Sequence, residues 1–380
     1  MKIVYIITGL STHGGEMMLY KLLSHLNREQ FEAVVISLQD RGTLGDRIAA
    51  VDIPLYTINL KRGKPTPRGI YRLICTVKQI KPDIIQGWMY HGNLAAQLAS
   101  FFLPHKTPVV LNIQNSLYSL ADEKRMTGAV IKISAHVSPQ TAAAVFVSRV
   151  SQSQHEALGY ASPLHCVIPN GIDIWSFKPD TEARSSVRSE LGLSDNTLLI
   201  GMMARFHPQK DHTNFLQAAA LLANERKNIH FLLAGKGVEL KNPDLAKMVQ
   251  VLGLEDKISL LGERGDMTRL NAALDIASLS SSYGEAFPLA VGEAMACAVP
   301  CAVTDVGDSG WMVGETGRVV EPHNPQALAN AWNSLLNLTI QERKFLGQAA
   351  RERVEKLFSL DSVVNQYQSL YQSLLETSKY

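Results

Sequence analysis

The chain has 380 residues, 46% hydrophobic and 19% charged, which is the composition of a soluble globular protein. That length is about twice one ordinary core, so two domains are expected. The formal net charge of +2 gives no electrostatic footprint for nucleic acid.

The N-terminal MKIVYIITGL runs straight into THGGEMML without a small-residue cleavage site, so it reads as a first buried strand rather than a secretion signal. No apolar run approaches the ~20 residues of a membrane span. Further apolar, β-branched runs follow at 31–38, 54–60, 82–88, 108–113 and 143–148. Most are continuously apolar, as parallel strands covered on both faces should be. The segments between them are long enough for crossover helices, as at 14–26 and 92–102. A second series of strand runs begins at 197–203 and continues at 229–235, 257–262, 275–281, 300–305 and 317–321. Two β-α arrays in series predict an α/β protein of two Rossmann-like, doubly wound domains. The expected division is 1–178 and 179–357, with Asn170-Gly171 and Pro179 marking the join. A closing helix over 358–380 is expected to pack back on the first domain through Leu360, Val363, Val364, Tyr367, Leu370, Tyr371 and Leu374.

The four cysteines, Cys75, Cys166, Cys297 and Cys301, have no zinc spacing and form no Cys-x-x-Cys pair. Reduced thiols in a cytoplasmic protein are expected.

In open α/β sheets ligands bind where strands end and helices begin, and several such turns carry chemistry. Gly14 and Gly15 open a helix after the first strand. They form either a tight turn or an approach for an anion, and the spacing is not that of a dinucleotide fingerprint. Arg205 and Lys210, in ARFHPQKDH, form either a solvated basic loop or a diphosphate clamp. His207 and His212 lie nearby, but no acid or cysteine completes a metal site. His91 follows a strand and precedes a helix, open to roles as donor, base or packing group. Glu285 and Glu293 flank seven residues within YGEAFPLAVGEAMACAVP. They are either a surface acid and a capping acid, or two acceptors for a hydroxyl-rich ligand, with backbone N–H groups near Phe287 and Leu289 offered to a phosphate. Pro288 suits the helix start.

These residues resemble the retaining glycosyltransferases of family 4, of two-Rossmann GT-B architecture, over nearly the whole chain. The resemblance rests on GEAFPLAVGEAMACAVPCAVTDVGDS with its two spaced glutamates, and on ARFHPQK, LLGERGDM, IPNGID, WMYH and the Gly-Gly loop, in the family's order. It implies two domains facing a cleft that holds a nucleotide-sugar donor. Arg205 and Lys210 would hold the diphosphate, and Glu285 with the backbone of Phe287, Pro288 and Leu289 would grip the donor sugar. Glu293 would accept from ribose, Lys236 and Arg264 would lie near the base, Gly14 and Gly15 would face the phosphate, and His91 would orient the sugar or acceptor. The implied donor is a UDP- or GDP-sugar. With no Asp-x-Asp motif, no cofactor or essential metal is expected. The implied acceptor is a glycan or lipid-linked glycan of surface polysaccharide or glycolipid synthesis. The alternatives are a nucleotide-sugar 2-epimerase and a non-catalytic nucleotide-sugar-binding protein. Two departures stand out. Gln86 and Trp88 occupy a His-x-His pattern, and Trp311 stands where a glutamate often follows the TDVG turn.

The stretch 61–82 has seven basic residues (Lys61, Arg62, Lys64, Arg68, Arg72, Lys78 and Lys81) and no acid. From Arg68 to Lys81 it reads as an amphipathic helix. A crossover helix with its apolar face in the core is the favoured reading, and peripheral contact with an anionic membrane on its inner face is the alternative.

Overall fold

The computed structural model describes residues 1–12, 14–61 and 65–377. Arg62 and Lys64 of the basic stretch lie outside the described residues. Two compact units are present. One comprises Met1–Gly171 and Leu360–Tyr380, and the other Ile172–Ser359.

The first unit is built on a parallel sheet with the spatial order β3-β2-β1-β4-β5-β6-β7. Its strands are β1 (Lys2–Ile7), β2 (Glu32–Ser37), β3 (Leu55–Thr57), β4 (Ile84–Trp88), β5 (Val109–Ile113), β6 (Ala143–Phe146) and β7 (His165–Val167). Ile3, Tyr5 and Ile7 of β1 enter one apolar cluster and Val4 and Ile6 the other, one on each sheet face. That two-sided burial is why the strand runs are continuously apolar. The helix Leu360–Thr377 supplies Leu360, Val363, Val364, Tyr367, Leu370 and Tyr371 to the first cluster.

The second unit has the parallel order β10-β9-β8-β11-β12-β13. Here β8 is Leu198–Met203, β9 Ile229–Ala234, β10 Ile258–Leu260, β11 Ile276–Leu279, β12 Cys301–Thr304 and β13 Arg318–Val320. Phe215, Phe231 and Trp332 pack ring on ring within it, with centroids 5.0 to 6.1 Å apart. Both units are Rossmann-like α/β layers.

The boundary differs from the one the sequence suggests. The chain passes into the second unit after Gly171, not after residue 178. Ile172 N–H donates to the Phe358 carbonyl at 2.8 Å, and Ile172 bridges Ser359 in parallel. These pairings outweigh the local turn and proline signals at 170–180, because backbone groups are satisfied wherever a partner strand lies.

The helix Pro67–Ile80 buries Gly69, Leu73 and Val77 and leaves Arg68, Tyr71, Arg72 and Lys78 exposed. Its apolar face is therefore spent on the sheet, as in a crossover helix. No helix among the described residues is long and apolar enough to cross a membrane. All four cysteines are free.

Candidate functional site

At the carboxyl edge of the second sheet, β8 leads through Ala204 and Arg205 into a 3-10 turn, Pro208–Lys210. The helix His212–Glu225 follows, capped by Asp211, whose carboxylate accepts from Asn214 N–H at 3.0 Å. From β11 come three serines in succession. Ser280 Oγ donates to the carbonyls of Lys210 (2.8 Å) and Asp211 (3.0 Å). Ser281 Oγ donates to Glu285 Oε1 at 2.6 Å. Ser282 N–H donates to the Gln209 carbonyl at 2.9 Å. The two strand ends are thus stitched together through the serine run.

Glu285 and Lys210 form an ion pair through Oε1 and Nζ, with the carboxylate side chain only 7% exposed and the amine 18%. Burial of a charge demands such a partner. The loop carrying Glu285 is held by Gly307, at φ 61°, where an added Cβ would lie 2.0 Å from the Glu285 carbonyl oxygen.

Arg205 is exposed, and its guanidinium lies 3.5 Å from Gln209 Oε1, a long contact. Lys236 is exposed after β9, and its carbonyl accepts from Phe206 N–H at 2.8 Å, which joins its loop to that of Arg205. Among the described residues neither cation has an acidic partner. Glu293 is half-buried inside the helix Leu289–Ala296. Pro288 is the residue before that helix rather than its first position. Leu289 begins the helix. The Phe287 ring is buried against Phe358 and Trp311, with centroids at 5.4 and 6.2 Å, so only its backbone is open to a ligand role. Trp311, which stands in place of a glutamate, is part of this aromatic packing.

Arg264, expected near the base, contacts two acids. Its Nε and Nη2 bind Asp266, each at 2.8 Å, and its Nη1 binds Glu190 at 2.9 Å. Arg269 joins the same two acids. Hydrogen bonds from Arg264 hold the Asp266 carboxyl far below its ordinary range. The guanidinium is thus committed on all three nitrogens to joining the helix Met267–Ala273 to the helix Thr181–Glu190, a bracing role.

His212 is buried against Phe206, with ring centroids 5.1 Å apart. Burial, aided by the Lys210 charge, pulls its pKa down to about 4, and burial does the same to His230 on β9. Both pKa values are lower in the folded chain than the ordinary 6.5, so the unfolded chain binds more protons between pH 6.5 and 4. Stability is therefore complete above about pH 6.5 and is lost as pH falls toward 4. Thermal melts at pH 7 and pH 5 should show this loss, and the drop should shrink in His230→Gln. An equal drop in both proteins would refute it. Among the described residues no group of three His, Cys, Asp or Glu side chains is arranged to hold a metal.

In the first unit, the helix Gly14–His25 follows β1. Gly14 has open space around it, and Gly15 lies against Met89 and Gln114. The Gly15 carbonyl accepts from Trp88 Nε1 at 2.8 Å. Trp88 is wholly buried and stacked on Tyr367, and Gln86 is buried with Tyr371 hydroxyl on its Oε1. The two positions of the His-x-His pattern are thus core here. The helix Met89–Ser100 starts earlier than expected, and His91 stands half-buried in its first turn. Met89, at φ 63°, turns the chain from strand to helix in one residue.

Ser281 is the functional candidate that sequence reading missed. In sequence it only closes the strand run 275–281, whereas β11 ends at Leu279 and the tie to Glu285 depends on the turn that follows.

Comparison with known proteins agrees with this layout. The model described as Glycosyl transferases group 1 matches residues 183–353, and that described as Glycosyltransferase Family 4 matches residues 12–175. An exopolysaccharide phosphotransferase of Streptomyces coelicolor is 31% identical over 234 residues, 61% of this chain and 23% of that protein. The UDP-Gal:alpha-D-GlcNAc-diphosphoundecaprenol alpha-1,3-galactosyltransferase of Escherichia coli is 28% identical over 219 residues, 56% of this chain and 55% of that enzyme. The matched stretches thus span about half or less of these relatives' own lengths. Among solved structures, Anabaena HepE in complex with UDP superposes with a TM-score of 0.84 at 22% identity, covering 98% of this chain and 100% of HepE.

Proposed function

The chain belongs to the family 4, group 1 type of glycosyltransferases with GT-B architecture, and on that premise we propose that it moves a hexosyl group, with retention, from a nucleotide-diphosphate sugar to a glycan or lipid-linked acceptor in surface polysaccharide or glycolipid synthesis. The carrying observation is the buried Glu285, paired with Lys210, with two cations on the adjoining loops, Arg205 and Lys236, that have no acidic partner among the described residues. This combination suits an oxocarbenium-like sugar and a departing diphosphate. Arg205 and Lys210 stabilise the charge that gathers on the leaving group. Glu285 accepts from hydroxyls of the donor sugar, and Glu293 from the ribose. Lys236 and Arg264 serve the base side in this reading. Gly14 and Gly15 serve an anion and His91 a substrate hydroxyl in the first unit. Fixed cations take the place of a divalent metal in this reading. UDP is the first nucleotide to test, since HepE is seen with UDP and the Escherichia coli relative is named for UDP-Gal. Peripheral contact of the helix Pro67–Ile80 with an anionic membrane is no part of the proposal, because Leu73 and Val77 of its apolar face are buried.

The test is a thermal-shift screen against UDP-, GDP-, ADP- and dTDP-sugars in EDTA. A ligand that binds only the native state raises the melting point, by about 2.7 kcal/mol of stabilisation at one hundred times its Kd. One nucleotide should stand out, and its shift should vanish in Arg205→Ala. The absence of any shift, with or without magnesium, would defeat the proposal.

A further inference from the structure

The three serines after β11 are not equivalent. Ser280 braces backbone carbonyls, and Ser282 pairs through its backbone N–H. Ser281 alone spends its hydroxyl on a charged side chain, Glu285 Oε1, at the short distance of a charge-assisted bond. It is wholly buried, and its carbonyl accepts from Thr304 Oγ1 at 2.6 Å, so its place is set from β12 and not by Lys210.

Lys210 faces two demands under the donor reading above, on which this inference rests. It neutralises Glu285 in the unliganded chain, and it is needed on the diphosphate. A lysine is a point charge on a flexible stem, so it can turn from one anion toward another. Glu285, 7% exposed, cannot follow it into water. We propose that Ser281 is a positioning residue that keeps the Glu285 carboxylate aimed at the donor sugar while Lys210 serves the diphosphate. Its hydroxyl provides a neutral donor that takes no share of the phosphate's cation. The Lys210 ammonium has three N–H donors, so the pair loosens without a proton changing hands.

The test is a double-mutant cycle on full-length protein, reading donor turnover (hydrolysis or transfer) on the UDP-, GDP-, ADP- and dTDP-sugar panel together with Kd for the free nucleoside diphosphate. Ser281→Ala should lower kcat about tenfold, the scale of one charge-assisted hydrogen bond, and leave nucleotide Kd unchanged. In the Glu285→Gln background, Ser281→Ala should add nothing further. Ser281→Cys keeps the volume with a weaker donor and should fall between, which guards against a folding defect in the alanine variant. Equal losses in both backgrounds would show Ser281 acting through the fold and overturn the proposal, as would no loss at all. Absence of wild-type turnover on every donor would overturn the donor reading and this inference with it, and the wild-type arm identifies that case.

Discussion

Lys210→Met is expected to lower turnover by about two to three orders of magnitude, the scale of removing one fixed group that stabilises developing charge. It should also lower stability by about 3 kcal/mol, because breaking a buried pair leaves Glu285 as an uncompensated carboxylate at 7% exposure. The Ser281 hydroxyl alone would then satisfy Oε1. The two effects separate in a second variant. Adding Glu285→Gln removes the stranded charge and should restore most of the stability, while turnover stays low. Chemical denaturation and donor turnover on both proteins check this. If stability failed to return in the double variant, the ion pair would not be what holds the loop. If turnover returned, Lys210 would have no part in leaving-group departure.

Asp275→Ala should be the most destabilising single change away from the site. Asp275 Oδ1 accepts from Arg184 Nη2 at 2.7 Å, and its Oδ2 accepts from Arg188 Nη2 at 2.7 Å and from Leu199 N–H at 2.8 Å. Arg188 is 2% exposed, and burial, together with the neighbouring Arg184 charge, already works against its protonated form. Removing the carboxylate strands that guanidinium and unpairs the start of β8, a loss of about 3–5 kcal/mol and about 10 °C in melting temperature for a domain of this size. The group sits at the amino edge of the sheet, where β8 and β11 begin, whereas the Glu285 site lies at the carboxyl edge. Nucleotide affinity of the folded protein should therefore be unaffected. A melting point within two degrees of wild type would show that the Arg188 cluster does not carry the expected load.

Much of this protein is legible in short windows of sequence. Continuous apolar runs such as KIVYII and LLIGMM reveal strands buried on both faces, because burial on two sides leaves no polar alternation. The spacing of Leu360, Val363, Val364, Tyr367, Leu370 and Tyr371 reveals the face of the last helix, because side chains three and four apart share one side. The helix start at Gly14–Gly15 is likewise readable, because two glycines directly after a strand run mark the turn into a helix.

Partners far apart in the chain were not readable. Glu285 and Lys210 are 75 residues apart, and Arg264 and Glu190 are 74. In the folded chain Lys210 holds the candidate sugar-binding acid, and Arg264 joins Asp266 to Glu190. The unit boundary shifted for the same reason, since the Ile172–Phe358 hydrogen bond joins segments that no local window contains. The sequence by itself determined which segments are strands and helices and which residue types gather at their ends. Only the tertiary structure decided which charges neutralise one another, because that depends on strand order and on burial, where an ion's desolvation cost makes its nearest partner obligatory.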